Sequence, residues 1–115
     1  MTSVYDDDIR INMVTKYTIL DECTGFDWDQ YNSYKNWNKH NVSTNECEEI
    51  FFNQPLVITD DVKHSVSERR FYSLGKTDRE RKLFIAFTIR ENLLRVIFAR
   101  DMTKIEKRKY KRYEK

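Results

Sequence analysis

Glycine, proline, cysteine and histidine are all scarce in this 115-residue chain, which has two glycines, one proline, two cysteines and two histidines. So few glycines and prolines exclude a flexible linker or a collagen-like repeat, and 39% hydrophobic residues exclude a disordered chain. No apolar run approaches the ~20 residues that span a bilayer, and no apolar stretch after Met1 resembles a signal peptide. We therefore expect one cytoplasmic domain without membrane contact.

The cysteines and histidines are also spaced unfavourably for a metal site. Cys23 and Cys47 are too few for a disulfide framework and form no CxxC pair. His40 and His64 stand alone, so their spacing matches no zinc-binding pattern. We expect two packed thiols, and we predict neither a metal ion nor a cofactor.

Charge is distributed unevenly behind the small formal net charge of +2. Residues 1–30 contain seven acidic and two basic side chains, whereas residues 101–115 contain seven basic and three acidic ones. A basic C-terminal half indicates a polyanionic partner, and a solvated helix face is the alternative interpretation.

The first clear helix is predicted between Asp29, an N-cap residue type, and Asn41, which tolerates the left-handed conformation of a C-cap. Tyr31, Tyr34 and Trp37 follow one another at three-residue spacing, which places an aromatic stripe on one side of this helix. We expect the stripe to pack in the core, with stacking on RNA bases as the alternative.

Two capping boxes predict two further helices. Ser43 and Glu46 have the spacing at which side chain and backbone amide satisfy each other, and so do Thr103 and Glu106. The first of these helices should end before Pro55, and the second should close the chain.

Alternating or continuous apolar patterns predict strands between these helices. The segments are Leu56 to Thr59, Arg70 to Leu74, Leu83 to Thr88 and Leu93 to Arg100, with Ile89–Asn92 as a hairpin connection. The order predicts an α+β domain, in which a small antiparallel sheet carries two N-terminal-side helices and a C-terminal helix on one face.

Short motifs along the chain carry a family resemblance. Phe26-Asp27-Trp28-Asp29 comes first, and Lys39-His40-Asn41-Val42-Ser43 stands where the family has Lys-His-Gly-Val-Ser. The further matches are Asn36, Asp61, His64-Ser65, Glu68-Arg69-Arg70-Phe71, Gly75, Leu83 to Thr88, Arg95 to Arg100, Thr103, Glu106 and Tyr110. In this order, over about three-quarters of the chain, they resemble the BrnT toxins of bacterial toxin–antitoxin modules.

The resemblance implies a fold like that of the RelE ribonuclease toxins and an RNA-cleaving activity that halts translation. It also implies a BrnA-type antitoxin with a ribbon-helix-helix part, which neutralises the toxin and through which the complex binds and represses its operator DNA. Residues 23–115 would form the toxin domain. Residues 1–22 lie outside the resemblance, and we expect an N-terminal extension there, a strand or a loose arm.

Metal-free RNA cleavage requires a base for the 2′-hydroxyl proton, an acid for the leaving 5′-oxygen, and cations for the charge on the phosphoryl oxygens. Arginine suits the last role because its guanidinium is permanently charged and binds in a fixed fork. Arg95 is the first candidate, since it interrupts an apolar strand pattern, where a charge needs a partner or a ligand. Pairing with Glu68 or Asp61 is the alternative.

Arg70 and Arg100 are the other catalytic candidates, because they lie at the ends of predicted strands, where a rigid sheet can orient them. As the alternative, Arg100 would form a structural ion pair with Asp101 or Glu106. Arg70 would likewise form a cross-strand ion pair with a carboxylate.

His40 and Glu68 are the candidate acid and base. Histidine changes charge near neutral pH, but His40 also falls in a last helical turn, where the helix dipole favours it without catalysis. Glu68 would serve as a base beside Arg70, and an ordinary ion pair between the two is the alternative.

Lys39, His64, Lys107 and Arg108 are the candidate RNA-binding residues, and His64 is a second candidate for proton transfer. The basic C-terminal segment would contact the RNA backbone or an acidic stretch of the antitoxin. The chain is thus expected to be a metal-independent endoribonuclease toxin. The alternative is an inactive toxin-like module that acts as a co-repressor or as a ribosome-binding inhibitor of translation.

Overall fold

The computed structural model describes residues 19–114 of the chain. The predicted N-terminal extension, residues 1–22, therefore lies largely outside the described residues. Ile19 and Leu20, at its C-terminal end, are helical and pack against the core. In this described part of the chain, no helix is long and apolar enough to cross a membrane.

Beyond the helical residues Ile19 and Leu20, the described chain contains three helices and five strands, which confirms the α+β prediction. In chain order they are β1 (Gly25–Asp27), α1 (Gln30–His40), α2 (Thr44–Ile50), β2 (Val57–Asp60), a 3-10 turn (Val62–His64), β3 (Arg70–Lys76), β4 (Lys82–Arg90), β5 (Leu93–Asp101) and α3 (Lys104–Lys111).

The strands form one sheet in the order β1-β5-β4-β3-β2. The four predicted strands pair antiparallel, as expected. Strand β1 was not predicted, and it pairs parallel with β5, with Asp27 opposite Arg95. Three residues are too few for a periodic pattern, so only the tertiary pairing identifies this strand.

Local signals set the helix ends as predicted. The Asp29 side chain accepts a hydrogen bond from the Tyr31 amide, and Asn41 ends α1 in the left-handed conformation at φ 54°. Both capping boxes are present, around Ser43 and around Thr103. The predicted hairpin closes more tightly than its four-residue pattern indicated, because β4 continues to Arg90 and leaves a two-residue turn.

Helix α2 covers one face of the sheet and closes the larger core. Ile50 of α2 lies so close to β3 that a Cβ added at Gly75 would be only 2.9 Å from the Ile50 Cβ. Cys47, also on α2, is a buried free thiol, as expected, and burial raises its pKa to about 12. Cys23 is free and half-buried.

Helix α3 packs on the opposite face, so the expectation that all helices share one face is wrong. Its Tyr110 is buried against Val57, Leu74 and Met102, and its hydroxyl donates a hydrogen bond to the Pro55 carbonyl at 2.6 Å. Side chains alternate between faces along a strand, so Leu74 faces away from its neighbour Gly75 and from α2. The strands therefore have apolar side chains on both faces, and each face receives a helix.

The expectation that the aromatic side of α1 packs in the core is also wrong. Tyr31, Tyr34 and Trp37 are exposed. The buried residue of α1 is Asn36, whose Oδ1 accepts a hydrogen bond from the Ala99 amide of β5 at 3.1 Å. Strand β1 pairs with only the first part of β5, so α1 satisfies a backbone amide along the rest of that edge. A polar contact holds the helix in place and leaves its aromatic side outward.

Candidate active site

A β-bulge in β5 determines where its arginines point. Val96 pairs with Phe87 of β4 and Phe98 with the next residue, Ala86, so Ile97 is an inserted residue. Arg95 and Arg100 are five positions apart and would face opposite sides of a regular strand. The insertion reverses the alternation and places both arginines on the face that carries α3.

Three residues lie side by side across this face: Arg70 on β3, Thr88 on β4 and Arg95 on β5. We call these three residues the arginine row. Each arginine is paired directly with Thr88 in the sheet register. Adjacent strands lie 4.7–4.9 Å apart, so the two arginines start from Cα atoms about 10 Å apart. Thr88 is buried and donates a hydrogen bond to the Arg69 carbonyl at 2.7 Å. The row thus places two cations on either side of a small, fixed polar residue.

Arg95 is held from the side of β1 and α1. Its Nη2 donates a hydrogen bond to Asp29 Oδ2 at 3.1 Å, and its Nη1 lies 4.0 Å from Asp27 Oδ2. The carboxylates that pair with it are therefore not Glu68 and Asp61, the expected alternatives. Hydrogen bonds from the Tyr31 amide and from Arg95 hold the pKa of Asp29 below its ordinary value. Arg95 is about a quarter exposed, so part of its side chain is accessible to solvent.

Arg70 lies at the other end of the row, beside a histidine–carboxylate pair. Asp61 Oδ2 is 3.7 Å from Arg70 Nε, and the two Asp61 oxygens lie 2.9 and 3.0 Å from His64 Nδ1. Asp61 is largely buried, whereas His64 is exposed. Arg70 Nε is buried without a hydrogen-bond partner among the described residues, which is uncommon in folded proteins. The pair fixes one side of the imidazole and leaves Nε2 on its outer side.

Glu68 lies near the row, but its partner is Arg90 rather than the expected Arg70. The Arg90 guanidinium donates two hydrogen bonds of 2.9 Å to the Glu68 carboxylate. These bonds, with a smaller contribution from the charge of Arg95, lower the pKa of Glu68. A carboxylate held in this way stays ionised and is a weak base.

Arg100 lies on the same face but at its other end, four residues along β4 from Thr88, or about 13 Å. It donates two hydrogen bonds to Glu106, of 2.7 and 3.0 Å, and its guanidinium lies 4.1 Å from the centre of the Phe84 ring. Burial alone would raise the pKa of Glu106, but the hydrogen bonds from Arg100 and Thr103 outweigh it and lower that pKa. These contacts match the structural alternative for Arg100.

His40 is not brought to the arginine row. It ends α1, about 16 Å along the helix from the Asp29 end, which meets Arg95. Its carbonyl accepts a hydrogen bond from Arg81 at 2.9 Å. Lys39 is exposed on the same helix.

Lys107 and Arg108 are exposed on α3, at the end of the sheet that also carries Arg100. The structure therefore gathers four of the predicted site residues into one region, namely Arg70, Arg95, Glu68 and His64. It leaves the other five elsewhere on the surface.

Two residues of this region were not predicted as site residues. Asp61 was weighed only as a structural partner, although its position three residues before His64 is a signal for such a pair. Thr88 carries no signal of its own, because its place in the row depends on strand register. In residues 19–114, no three His, Cys, Asp or Glu side chains converge as a metal-ligand set.

The sequence of this region is similar to a known protein family. A family model described as the ribonuclease toxin BrnT of type II toxin–antitoxin systems matches residues 28–106, which is more than half of the chain. The matched range includes the whole arginine row, Glu68 and the Asp61–His64 pair. A comparison with curated proteins gave no match.

Proposed function

This chain belongs to the BrnT family, the ribonuclease toxins of type II toxin–antitoxin systems, and we propose that it cleaves RNA at the arginine row. The observation that carries this proposal is the placing of Arg70 and Arg95 in one row with the Asp61–His64 pair at its end. Two guanidinium groups and a proton-transfer group are thus available to one phosphodiester.

The reaction we propose uses the nucleophile of the substrate and needs no metal ion. The 2′-oxygen bonds to the adjacent phosphorus and the bond from phosphorus to the 5′-oxygen breaks. His64 accepts the 2′-hydroxyl proton, a proton from water reaches the leaving 5′-oxygen, and His64 then returns its proton to the solvent, so that no net proton is gained or lost. The products are a 2′,3′-cyclic phosphate and a free 5′-hydroxyl. Arg70 and Arg95 stabilise the negative charge that grows on the phosphoryl oxygens.

His64 is the proton-transfer group in this proposal. Asp61 binds Nδ1 and orients the ring, and histidine exchanges protons near neutral pH. His40, the acid or base candidate from the sequence, lies at the far end of α1. Glu68 is a weak base because Arg90 binds its carboxylate. We therefore assign to Glu68 the role of holding Arg90 at the rim of the site.

The partners follow from the family. A ribonuclease toxin of a type II system has an RNA substrate and an antitoxin. We propose that this antitoxin is a BrnA-type ribbon-helix-helix protein with which the toxin represses its operon in the cytoplasm. Lys107 and Arg108 would contact the RNA backbone or an acidic stretch of the antitoxin. In this proposal residues 23–115 are the toxin domain, preceded by an extension over residues 1–22.

The test is cleavage of a labelled single-stranded RNA by the purified protein in excess EDTA, with the products analysed by mass spectrometry. We expect fragments that end in 2′,3′-cyclic phosphate. Arg95→Ala should slow cleavage by about 10²- to 10³-fold, the usual effect of removing one charge-stabilising donor, and Arg79→Ala, at an exposed turn, should not.

Three outcomes would contradict the proposal. Cleavage that stops in EDTA would refute the metal-free reaction. An Arg95→Ala variant that cuts normally would refute the site. Intact RNA at high protein concentration, together with toxicity on expression, would favour the inactive binding module.

A further inference from the structure

Helix α1 presents three aromatic rings to solvent in one continuous stripe, which we call the α1 stripe: Tyr31, Tyr34 and Trp37. These residues are 71%, 68% and 55% exposed. Successive rings are three residues apart, which is about 4.5 Å along the helix axis. Neighbouring large aromatic rings left in water on one helix indicate a binding surface.

The composition around the rings points to the ligand. Helix α1 contains no acidic residue and no Leu, Ile, Val or Met, so its outer surface has none of the aliphatic anchors of a helix that docks in a protein groove. Lys35 follows Tyr31 by four residues, which places its ammonium group beside the first ring of the stripe. Rings next to ammonium groups are the combination that binds bases and phosphates of a single strand.

The α1 stripe is also continuous with the arginine row. Tyr31 is two residues from Asp29, whose carboxylate accepts hydrogen bonds from both the Tyr31 amide and Arg95. The first ring of the stripe therefore lies next to one end of the row. From Tyr31 to Trp37 the stripe extends about 9 Å along the helix, enough for two or three bases.

We propose that the α1 stripe binds single-stranded RNA next to the cleaved bond. Bases stack on Tyr31, Tyr34 and Trp37, and Lys35 meets a phosphate beside Tyr31. The inference rests on the proposed function for the position of the cleaved bond, whereas binding to the stripe itself is measurable without any cleavage.

The test uses a fluorescein-labelled 12-nucleotide 2′-O-methyl strand of mixed sequence, which cannot be cut because it lacks the nucleophile. Fluorescence anisotropy gives its dissociation constant for the wild type, for Tyr34→Ala/Trp37→Ala, and for the control Phe52→Ala. Phe52 is a matched control because it is an exposed aromatic ring, 77% exposed, that lies outside α1. Because the replaced side chains are exposed, the melting temperatures should stay close to that of the wild type.

We expect each ring removed to weaken binding of the single strand by about 5- to 150-fold, while Phe52→Ala leaves it within about 2-fold. Binding of a duplex of the same length should change little in the double variant, because paired bases cannot stack on the rings. RNA binding should quench tryptophan fluorescence in the wild type, and Trp37→Phe should remove most of the quenching, although Trp28 remains.

Unchanged affinity of the double variant for the single strand would overturn the proposal, and so would an equal loss on the duplex. If the double variant keeps its RNA affinity but no longer co-purifies with a co-expressed antitoxin, the stripe is a protein-docking surface and the RNA proposal is wrong. The two proposals fail in different assays. An error in the ribonuclease proposal would appear as normal cleavage by Arg95→Ala, and it would leave the binding of the uncleavable strand to the α1 stripe unchanged.

Discussion

Arg69 and Arg70 are consecutive arginines that point to opposite faces of the sheet, and they provide the sharpest test of the site. Arg70 lies in the arginine row. The Arg69 guanidinium instead lies 4.9 Å from the centre of the Phe71 ring and bonds Asp60 with two hydrogen bonds. Replacing either residue by Met removes the same charge at nearly the same point of the chain. Only the replacement of Arg70 should affect catalysis.

The expected losses of cleavage rate in the two variants differ by far more than the experimental error. Removing one donor that stabilises a transition-state charge lowers kcat by about 10²- to 10³-fold, or about 2.7–4 kcal/mol. Arg70→Met should show this loss, and Arg69→Met should stay within about 3-fold of the wild type. Arg70→Lys should recover only part of the rate, because it keeps the charge and loses the planar fork.

Stability must be measured beside activity, since the two arginines are not equally buried. Arg69 pairs on the surface, where its side chain is 63% exposed, so its loss should cost about 0–1 kcal/mol. Arg70 is 23% exposed beside the largely buried Asp61, and its loss should cost about 1–3 kcal/mol. Cleavage rates should therefore be compared at room temperature, with the folded fraction of each variant known from circular dichroism.

Two results would refute the reasoning. Equal losses of activity in Arg69→Met and Arg70→Met would show that net charge in this region, and not the face of the sheet, controls the rate. A fully active Arg70→Met would remove the row from the mechanism.

Three further predictions concern stability and are measured by urea unfolding. Gly75→Ala should destabilise the protein by about 1–3 kcal/mol, because the new Cβ would meet Ile50 at 2.9 Å, and a normal stability would show that α2 shifts freely. Glu91→Asn should stabilise it by about 0.5–1 kcal/mol, because Glu91 has a positive φ of 51° in the hairpin turn, and a loss of stability would contradict this. The pKa of Glu106 is lowered in the folded protein, so the ionised carboxylate stabilises the fold at pH values above the ordinary pKa of glutamate. This stabilisation should be lost as the pH falls through the lower pKa of the folded state. Glu106→Gln should therefore be less stable than the wild type at pH 7 by about 1–2 kcal/mol, through its weakened bonds to Arg100, and a gap that does not narrow at pH 3 would refute this.

The elements that were predicted correctly depend on signals within a few residues. Asp29, Asn41 and the two capping boxes set helix ends, because each cap satisfies backbone groups of its own first or last turn. The antiparallel strands were predicted for a related reason, since their apolar patterns are long enough to show a period.

The candidate site was predicted only in part, because its residues come from separate strands and loops. Arg70, Arg95, Glu68 and His64 were singled out in the sequence, yet their actual partners depend on contacts across the fold. Glu68, for example, bonds Arg90, which is 22 residues away. No local pattern distinguishes that partner from the nearer Arg70.

Composition, caps and periodicity thus determined the helices, the antiparallel strands and the class of fold, because those signals act between neighbours in the chain. The tertiary structure alone decided the arginine geometry. Arg95 and Arg100 share a face only because Ile97 is inserted in β5, and the apolar run around it carries no alternation that would show the insertion. Tertiary contacts also turned the aromatic side of α1 outward, since Asn36 rather than a ring satisfies the amide of Ala99 at the edge of β5.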